Sequence, residues 1–443
     1  MKPYPTLGIL YISAYLKSKG YSVDIFDSTF QSKKAFIAYI DKVRPSIVGI
    51  YVNLMTKLNA LELIRTCKAR GITVVVGGPE VPYYGEEFLS HGADVGVIGE
   101  GEVTLEELIP HLQKRGTTAM QQIHGIIYHE SDGSIVRTAE RPLIPDLDAL
   151  PNPDRSSIDL QQYIDTWRRH HQMGSVSLIC ARGCPYTCTW CSRSVFGDTH
   201  RRRSAPRVVD EIEMLLSTYK PDMLWFADDV FTINHRWFYA FYEEMKRRNI
   251  RVPFECISRA DRLNEDILQK MAELGSFRIW YGSESGSQRI LDAMQRRVTI
   301  DQIRNITRLS RKYGIQSGLF VMLGYPGEEV ADIDATIAHL KDSNPDTYLT
   351  TVAYPIKGTT MYEEVKGRLI VSDSWENTTD RAVDFKDRHS KRFYWFATRH
   401  LTNEVTYHKT MSNGHRKFAP LLKSYAKSKI ARLGMKLTQH QRT

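Results

Sequence analysis

The chain has 443 residues, of which 42% are hydrophobic and 25% charged, a composition typical of a globular protein with two or three domains. No apolar run reaches the ~20 residues that span a bilayer, and the N-terminus lacks the layout of a signal peptide. The six cysteines do not suggest a disulfide framework, because three of them fall in one short motif. We therefore expect a cytoplasmic, reducing setting.

The net charge of +9 is unevenly placed. Residues 366–443 carry 17 Lys and Arg against 6 Asp and Glu, whereas residues 1–365 carry 43 against 45. The basic character therefore belongs to the C-terminal region, and we expect no nucleic-acid partner. A basic amphipathic helix is predicted at 417–436; it could contact an acidic partner or a membrane surface, although a solvated helix is the favoured interpretation.

Apolar helices and short β-rich runs alternate in residues 1–112. Helices are predicted at 7–19, 32–43, 57–70 and from 104, and strands at 21–26, 47–52, 73–76 and 94–98. This alternation predicts an α/β, doubly wound parallel sheet of the Rossmann or flavodoxin type. Such sheets bind ligands at the carboxyl ends of their strands. The candidate ligand-binding residues at those ends are Asn53, Gly77, Gly78, Gly99, Glu100, Gly101 and Glu102.

Residues 113–175 are predicted to connect two domains. A hairpin is expected around Ser131-Asp132-Gly133, and the Pro-rich stretch 144–153 is typical of an extended linker.

A second alternating array follows at 176–365. Its six strand–helix units predict a partial (β/α)6 barrel, and residues 366–443 are predicted to be a helical C-terminal region. Because polar residues at the carboxyl ends of barrel strands are often functional, the strand ends supply candidate ligand-binding residues. These candidates are Asp228, Asp229, Glu284, Gly324 and Gly327.

The first strand of this array leads into a loop with Cys184, Cys188 and Cys191, spaced C-x3-C-x2-C. Three thiolates can hold three irons of a cubane cluster, and an open fourth metal position is typical of a site that performs chemistry. The alternatives are a zinc site, which commonly uses four ligands in two paired clusters, or a disulfide pair. No second cluster of ligands is present in the sequence.

This motif, with Trp190 before its last cysteine, resembles the radical S-adenosylmethionine (SAM) superfamily. The resemblance implies a [4Fe–4S] cluster on the three cysteines, SAM on the open iron, reductive cleavage of SAM to a 5′-deoxyadenosyl radical, and an external electron donor of flavodoxin or ferredoxin type. It also implies that Asp228 or Asp229 binds the SAM ammonium, Glu284 its ribose or amino-acid end, and Gly324 and Gly327 its adenosine.

Each of these roles has a structural alternative. One of the two aspartates could cap a loop or helix, and Ser285 or Ser287 could cap the helix after Glu284. A further set of basic residues after the cysteine loop could neutralise the SAM carboxylate or the cluster, or form a solvated basic face. That set is Arg202, Arg203 and Arg207.

The N-terminal array resembles the cobalamin-binding domain that precedes the core in the cobalamin-dependent radical SAM class. The residues that carry this resemblance are 5–11, 77–79 and 97–102. It implies that cobalamin binds at the glycine-rich strand ends, although any doubly wound domain has such ends. The D-x-H-x-x-G pattern is absent, and the class holds cobalamin without a histidine ligand. Six residues precede Leu7 where the class has a strand, so either Met1 is not the natural start or the sheet lacks its first strand.

Together these resemblances predict a cobalamin-dependent radical SAM methyltransferase that acts on an unactivated carbon of a small molecule or natural product. One alternative is a cyclase or oxidoreductase with both cofactors and no methyl transfer, like the anaerobic magnesium-protoporphyrin ester cyclase. A more distant alternative is a non-catalytic iron–sulfur protein, which would not need polar groups such as Asp228 and Glu284 at its strand ends.

Overall fold

The computed structural model describes residues 3–412 and 418–443. Met1, on which the prediction about the start depends, and Lys417, the first residue of the predicted basic helix, lie outside them. The described residues form two compact units, one of 3–185, 193–225 and 373–379, the other of 186–192, 226–372, 380–412 and 418–443. None of the described helices combines the length and apolarity needed to cross a bilayer.

The first half of the first unit is the predicted array of helices around a parallel sheet. Its elements are α1 (Leu7–Ser18), α2 (Lys33–Val43), β1 (Ile47–Tyr51), α3 (Lys57–Lys68), β2 (Thr73–Gly77), α4 (Val81–Ser90), β3 (Val95–Val97) and α5 (Gly101–Arg115). The hairpin β4 (Ile126–His129) and β5 (Ile135–Arg137) completes a sheet of order β1-β2-β3-β4-β5. The first three strands are parallel and the hairpin is antiparallel, which confirms the predicted sheet and hairpin.

The strand predicted at 21–26 is wrong, because residues 21–27 have no regular structure. The run is β-rich, but β1 lies at the edge of the sheet and no described strand lies beside residues 21–26. A strand needs a neighbour to satisfy its backbone N–H and C=O groups. Within the described residues, the sheet has no strand N-terminal to β1.

The rest of the first unit contains a helix in the predicted connector. Its elements are α6 (Leu160–His171), β6 (Ser175–Leu178), β7 (Ala181–Arg182), β8 (Arg201–Arg202), α7 (Ala205–Thr218) and β9 (Met223–Phe226). The side chain of Asp159 accepts a hydrogen bond from Gln162 N and caps α6. Apolar residues at helical spacing then bury one face, with Tyr163, Ile164 and Trp167 at 5% exposure or less.

The second unit continues the strand and helix alternation. Its elements are α8 (His235–Arg247), β10 (Phe254–Ser258), α9 (Glu265–Leu274), β11 (Ser276–Glu284), α10 (Gln288–Ala293), α11 (Ile300–Lys312), β12 (Gln316–Leu323), α12 (Val330–Ser343), β13 (Thr347–Val352), α13 (Thr360–Val365), β14 (Leu369–Ile370), β15 (Asp384–Phe385), α14 (Lys391–Ser412) and α15 (Phe418–Thr438). Strands β10 to β13 pair consecutively and in parallel. With β6 and β9, all six predicted strands of the second array are present, and the C-terminal region is helical as predicted.

Candidate cofactor sites

The predicted cobalamin residues lie at one edge of the first sheet. Strands β1, β2 and β3 are adjacent and parallel, so their carboxyl ends share that edge. Asn53 follows β1, Gly77 and Gly78 end β2, and Gly99 to Glu102 follow β3.

The structure explains why glycine stands at Gly78 and asparagine at Asn53. Gly78 has φ +118°, and a Cβ there would lie 2.4 Å from the Val52 carbonyl oxygen, so only glycine fits. The Asn53 Oδ1 atom accepts hydrogen bonds from Met55 N at 2.9 Å and Thr56 N at 3.0 Å, which closes the turn into α3. The side chain and the backbone of Asn53 are therefore both engaged in this turn, since its N–H donates to Thr56 Oγ1 and its carbonyl oxygen accepts from Thr56 N and Lys57 N.

Glu100 and Glu102 form buried ion pairs with arginines near the cysteine loop. Arg182 Nη1 lies 2.7 Å from Glu100 Oε1, and Arg182 Nη2 lies 2.5 Å from Glu102 Oε1. Arg201 Nη1 lies 2.8 Å from Glu100 Oε2. We call these four residues the glutamate–arginine clamp.

The clamp is almost completely shielded from water, since Glu100, Glu102 and Arg182 are 5%, 3% and 6% exposed. The Ile144 backbone N–H also donates to Glu100 Oε2 at 2.7 Å. Both carboxylates are therefore engaged within the protein, and they hold Arg182 two residues before Cys184. The sequence analysis did not identify Arg182. The signal for a buried cationic partner was the presence of two glutamates, Glu100 and Glu102, in a turn whose other residues are glycines and apolar side chains.

Arg203 belongs to a second buried ion-pair network in the same unit. Its Nη1 donates to Glu211, which also pairs with Arg155 Nη2 at 2.7 Å. Glu211 is fully buried, and Arg203 is 4% exposed. Arg203 does not lie on a solvated face, and its charge is compensated by Glu211 in the core instead of by a SAM carboxylate. The prediction for Arg203 is therefore corrected to a structural role.

In the second unit, hydrogen bonds fix the backbone around Cys188 and Cys191. Cys191 N donates to Cys188 O at 3.2 Å, and Thr189 N donates to Met294 O at 3.1 Å. The Thr189 hydroxyl lies 2.7 Å from the Tyr325 hydroxyl. None of the described cysteines forms a disulfide bond.

Cys184 is partly exposed and belongs to the first unit. No group of three or more His, Cys, Asp or Glu side chains is arranged as a metal site among the residues that the structure describes. The assignment of the three cysteines to a cluster therefore rests on their spacing.

Glu284 is ion-paired with an arginine that also reaches Cys188. Glu284 ends β11 with φ +50° and is 4% exposed. Arg296 Nε donates to Glu284 Oε2 at 2.9 Å, and Arg296 Nη1 lies 3.9 Å from Cys188 Sγ. The Arg296 guanidinium therefore places a positive charge beside the Cys188 sulfur. Sequence reasoning missed Arg296, because it lies twelve residues after the strand end that it contacts.

The two aspartates after β9 differ in their exposure to solvent. Asp228 is 1% exposed, whereas Asp229 is exposed. Asp229 is therefore the more accessible of the two carboxyl groups, although desolvation by the surrounding protein raises its pKa.

The glycine-rich segment after β12 is shaped by a buried carboxyl group. Gly324 has φ +78° and donates its backbone N–H to Glu328 Oε2 at 2.6 Å. Burial raises the pKa of Glu328 to about 8, and Glu328 Oε1 has no hydrogen-bond partner. Gly327 also has a positive φ, of +78°. Both glycines lie in the turn at the carboxyl end of β12, and the Gly324 N–H is already bonded within the protein.

Comparisons with known families agree with both arrays. Residues 178–340 match the radical SAM superfamily model, and residues 2–109 match the B12 binding domain model. A Pyrococcus horikoshii protein named an uncharacterized methyltransferase is 28% identical over 85% of this chain and 82% of its own length. The anaerobic magnesium-protoporphyrin IX monomethyl ester cyclase of Rubrivivax gelatinosus is 27% identical over 84% of this chain and 68% of its own length.

The fold also matches solved structures. The radical SAM methyltransferase TsrM of Kitasatospora setae, solved with tryptophan and a SAM analogue, aligns with a TM-score of 0.72 and 19% identity over 84% of this chain and 76% of that one.

The described residues fit the cofactors of these families. Cys188, which forms no disulfide bond and lies beside the Arg296 guanidinium, suits an anionic iron–sulfur cluster. A glycine-lined sheet edge, where a side chain at Gly78 would collide with the backbone, suits a large ligand that approaches the main chain.

Proposed function

Because the chain belongs to the radical SAM enzymes that carry a cobalamin-binding domain, we propose that it methylates an unactivated carbon of a small-molecule or natural-product substrate. Its cofactors are a [4Fe–4S] cluster, SAM and cobalamin. The observation that carries the proposal is the presence of both domains in a chain that is 28% identical, over 85% of its length, to a protein named a methyltransferase.

In this proposal, the three cysteines hold the cluster. Asp229 binds the SAM ammonium through a charge-assisted hydrogen bond, and the backbone at Gly324 and Gly327 contacts the adenosine. Cobalamin binds at the sheet edge along the backbone of Gly77, Gly78, Gly99 and Gly101. When bound, the cluster and SAM supply a carbon-centred radical, and cobalamin supplies the methyl group.

The charged side chains of the sites act by positioning. Arg296 places a positive charge 3.9 Å from Cys188 Sγ, and Glu284 holds that guanidinium through a buried ion pair. Glu100 and Glu102 hold Arg182 and so orient the backbone that leads into Cys184. We assign these glutamates to the support of the cysteine loop in addition to their place at the cofactor edges.

The proposal includes a cytoplasmic, reducing setting and an external one-electron donor of flavodoxin or ferredoxin type. Reductive cleavage of SAM consumes an electron, and cysteines that form no disulfide bond suit a reducing compartment.

The test is product analysis with the anaerobically reconstituted holoenzyme, SAM, a reductant and candidate substrates. Methyl transfer predicts equal amounts of 5′-deoxyadenosine and S-adenosylhomocysteine for each substrate consumed. Cys188→Ala, which removes a proposed cluster ligand, should abolish both products. Substrate consumption with 5′-deoxyadenosine and no S-adenosylhomocysteine would overturn the proposal.

That last result would favour a second candidate, a radical SAM cyclase or oxidoreductase with cobalamin but no methyl transfer. The observation in its favour is the 27% identity over 84% of the chain to a magnesium-protoporphyrin ester cyclase.

A further inference from the structure

The second unit contains an open cavity of about 510 Å³ beside the carboxyl end of β13. Its walls come from residues 352–354, from 381–388 and from the first turns of α14. Cavities of a few hundred cubic ångströms hold ligands of drug-like size. The cavity can therefore accommodate a small-molecule substrate.

The lining carries an excess of positive charge. Arg381, Arg388, Lys391 and Arg399 contribute cations, and among the described lining residues Asp384 is the one acid. Asp384 Oδ1 lies 3.5 Å from Arg388 Nη1, so these two charges offset each other. A cavity whose described lining has four cationic side chains and one acidic side chain favours an anionic ligand.

Lys391 and Arg399 make contacts that do not neutralise them. Lys391 Nζ donates to the Ala382 carbonyl oxygen at 3.3 Å. The Arg399 guanidinium stacks on the Trp395 ring at 3.6 Å. Stacking uses the face of a guanidinium and leaves its N–H edge able to donate to a carboxylate or phosphate.

Trp395 adds an apolar surface to the same cavity. Its side chain is 52% exposed, which is unusual for so large an apolar group. An exposed tryptophan beside cations suits a ligand with an aromatic or apolar part next to its anionic group.

The cavity adjoins the segment proposed to contact SAM. A Cβ placed on Gly324 would lie 2.4 Å from Arg388 Nη2 and 3.0 Å from Tyr394 Cζ, and both of these residues line the cavity. A ligand in the cavity would therefore lie next to the glycine-rich turn after β12.

We propose that this cavity binds the substrate by an oxyanion group, a carboxylate or a phosphate, held by Lys391 and Arg399, with an adjoining aromatic or apolar part against Trp395. The identification of the occupant as the substrate rests on the function proposed above.

The test uses isothermal titration calorimetry of the anaerobic holoenzyme at low salt with three probes: 1-naphthaleneacetate, 1-naphthyl phosphate and the neutral 2-(1-naphthyl)ethanol. We expect at least one anion to bind about tenfold more tightly than the alcohol, since a hydrogen bond to a charged group contributes about 1.5–3 kcal/mol. The tighter anion identifies the oxyanion as carboxylate or phosphate. Added salt should weaken anion binding and leave alcohol binding unchanged.

Variants locate the binding. The double variant Lys391→Gln and Arg399→Gln should lose about tenfold or more in anion affinity and keep its affinity for the alcohol. Trp395→Ala should weaken all three probes. Arg392→Gln is the matched control, because Arg392 is exposed on the same helix and does not line the cavity.

Equal binding of the three probes, no binding of either anion, or full anion affinity in the double variant would overturn the inference. The wild-type comparison holds even if a variant fails to fold. Failure of the proposed function is a separate result: anion selectivity together with consumption of a substrate that yields no S-adenosylhomocysteine would overturn methyl transfer and leave the anion site in place.

Discussion

Replacing Arg182 with glutamine should destabilise the first unit strongly. The substitution removes both ion pairs of a guanidinium that is 6% exposed. Glu100 keeps Arg201 at 2.8 Å and the Ile144 N–H at 2.7 Å, but Glu102 loses its 2.5 Å partner while it is 3% exposed. Removing one partner of a buried pair costs about 3–5 kcal/mol, because the other charge stays buried.

For a unit of this size, 1 kcal/mol shifts the melting temperature by about 2–4 °C, so the loss should be about 10 °C. Differential scanning calorimetry of the holoenzyme measures it. Arg141→Gln is the control in the same unit, since the Arg141 side chain is 14% exposed but its partner Glu107 is 46% exposed and stays in contact with water when the pair is lost. Exposed pairs contribute about 0–1 kcal/mol, so the control should lose at most a few degrees.

The variant should also retain less iron, because Arg182 lies two residues before Cys184 and the clamp holds that segment. Equal melting temperatures and iron contents in the Arg182 and Arg141 variants would refute the reasoning.

Three further predictions concern single residues. Cys191→Ala should lose the visible absorbance of the cluster after reconstitution, whereas Cys256→Ala, a buried cysteine outside the motif, should keep it; an intact spectrum in the first variant contradicts the ligand assignment. Asp229→Asn should raise the KM for SAM about tenfold in 5′-deoxyadenosine formation, because an amide binds the ammonium less strongly than a carboxylate; an unchanged KM excludes the contact. Glu328→Gln should remove a pH dependence of the folding stability. Burial raises the pKa of Glu328 from 4.5 to about 8. The contribution of Glu328 to wild-type stability is therefore full below pH 4.5 and is lost as the pH rises through 8. The melting temperature of this variant, relative to wild type, should therefore rise between about pH 5 and 9, by an amount that corresponds to about 4 kcal/mol, and parallel profiles would contradict the raised pKa.

Much of the fold could be predicted because hydrophobic periodicity is local. The helix predicted at 32–43 matches α2, and the strand predicted at 47–52 matches β1, each to within one residue. The run at 21–26 has the same β-rich composition, but a strand also needs a neighbour, and sequence does not show whether one is present. Helix α4 escaped notice because Pro82, Tyr84 and Gly85 interrupt its pattern, and Tyr84 indeed has non-helical angles.

The sites were predictable in position and less so in role. Strand-end reasoning placed Glu100, Glu102 and Glu284 at the cofactor edges, since parallel strands bring their carboxyl ends together. It did not show that each carboxylate meets an arginine, because Arg182 is 80 residues from Glu102 along the chain, and pairing at that separation depends on the fold.

The central claim, methyl transfer to an unactivated carbon, is tested most directly with SAM whose methyl group carries deuterium. The reconstituted holoenzyme, a reductant and the true substrate should give a product that contains the labelled methyl group, with equal 5′-deoxyadenosine and S-adenosylhomocysteine. Consumption of the substrate to a product without the label would contradict the claim.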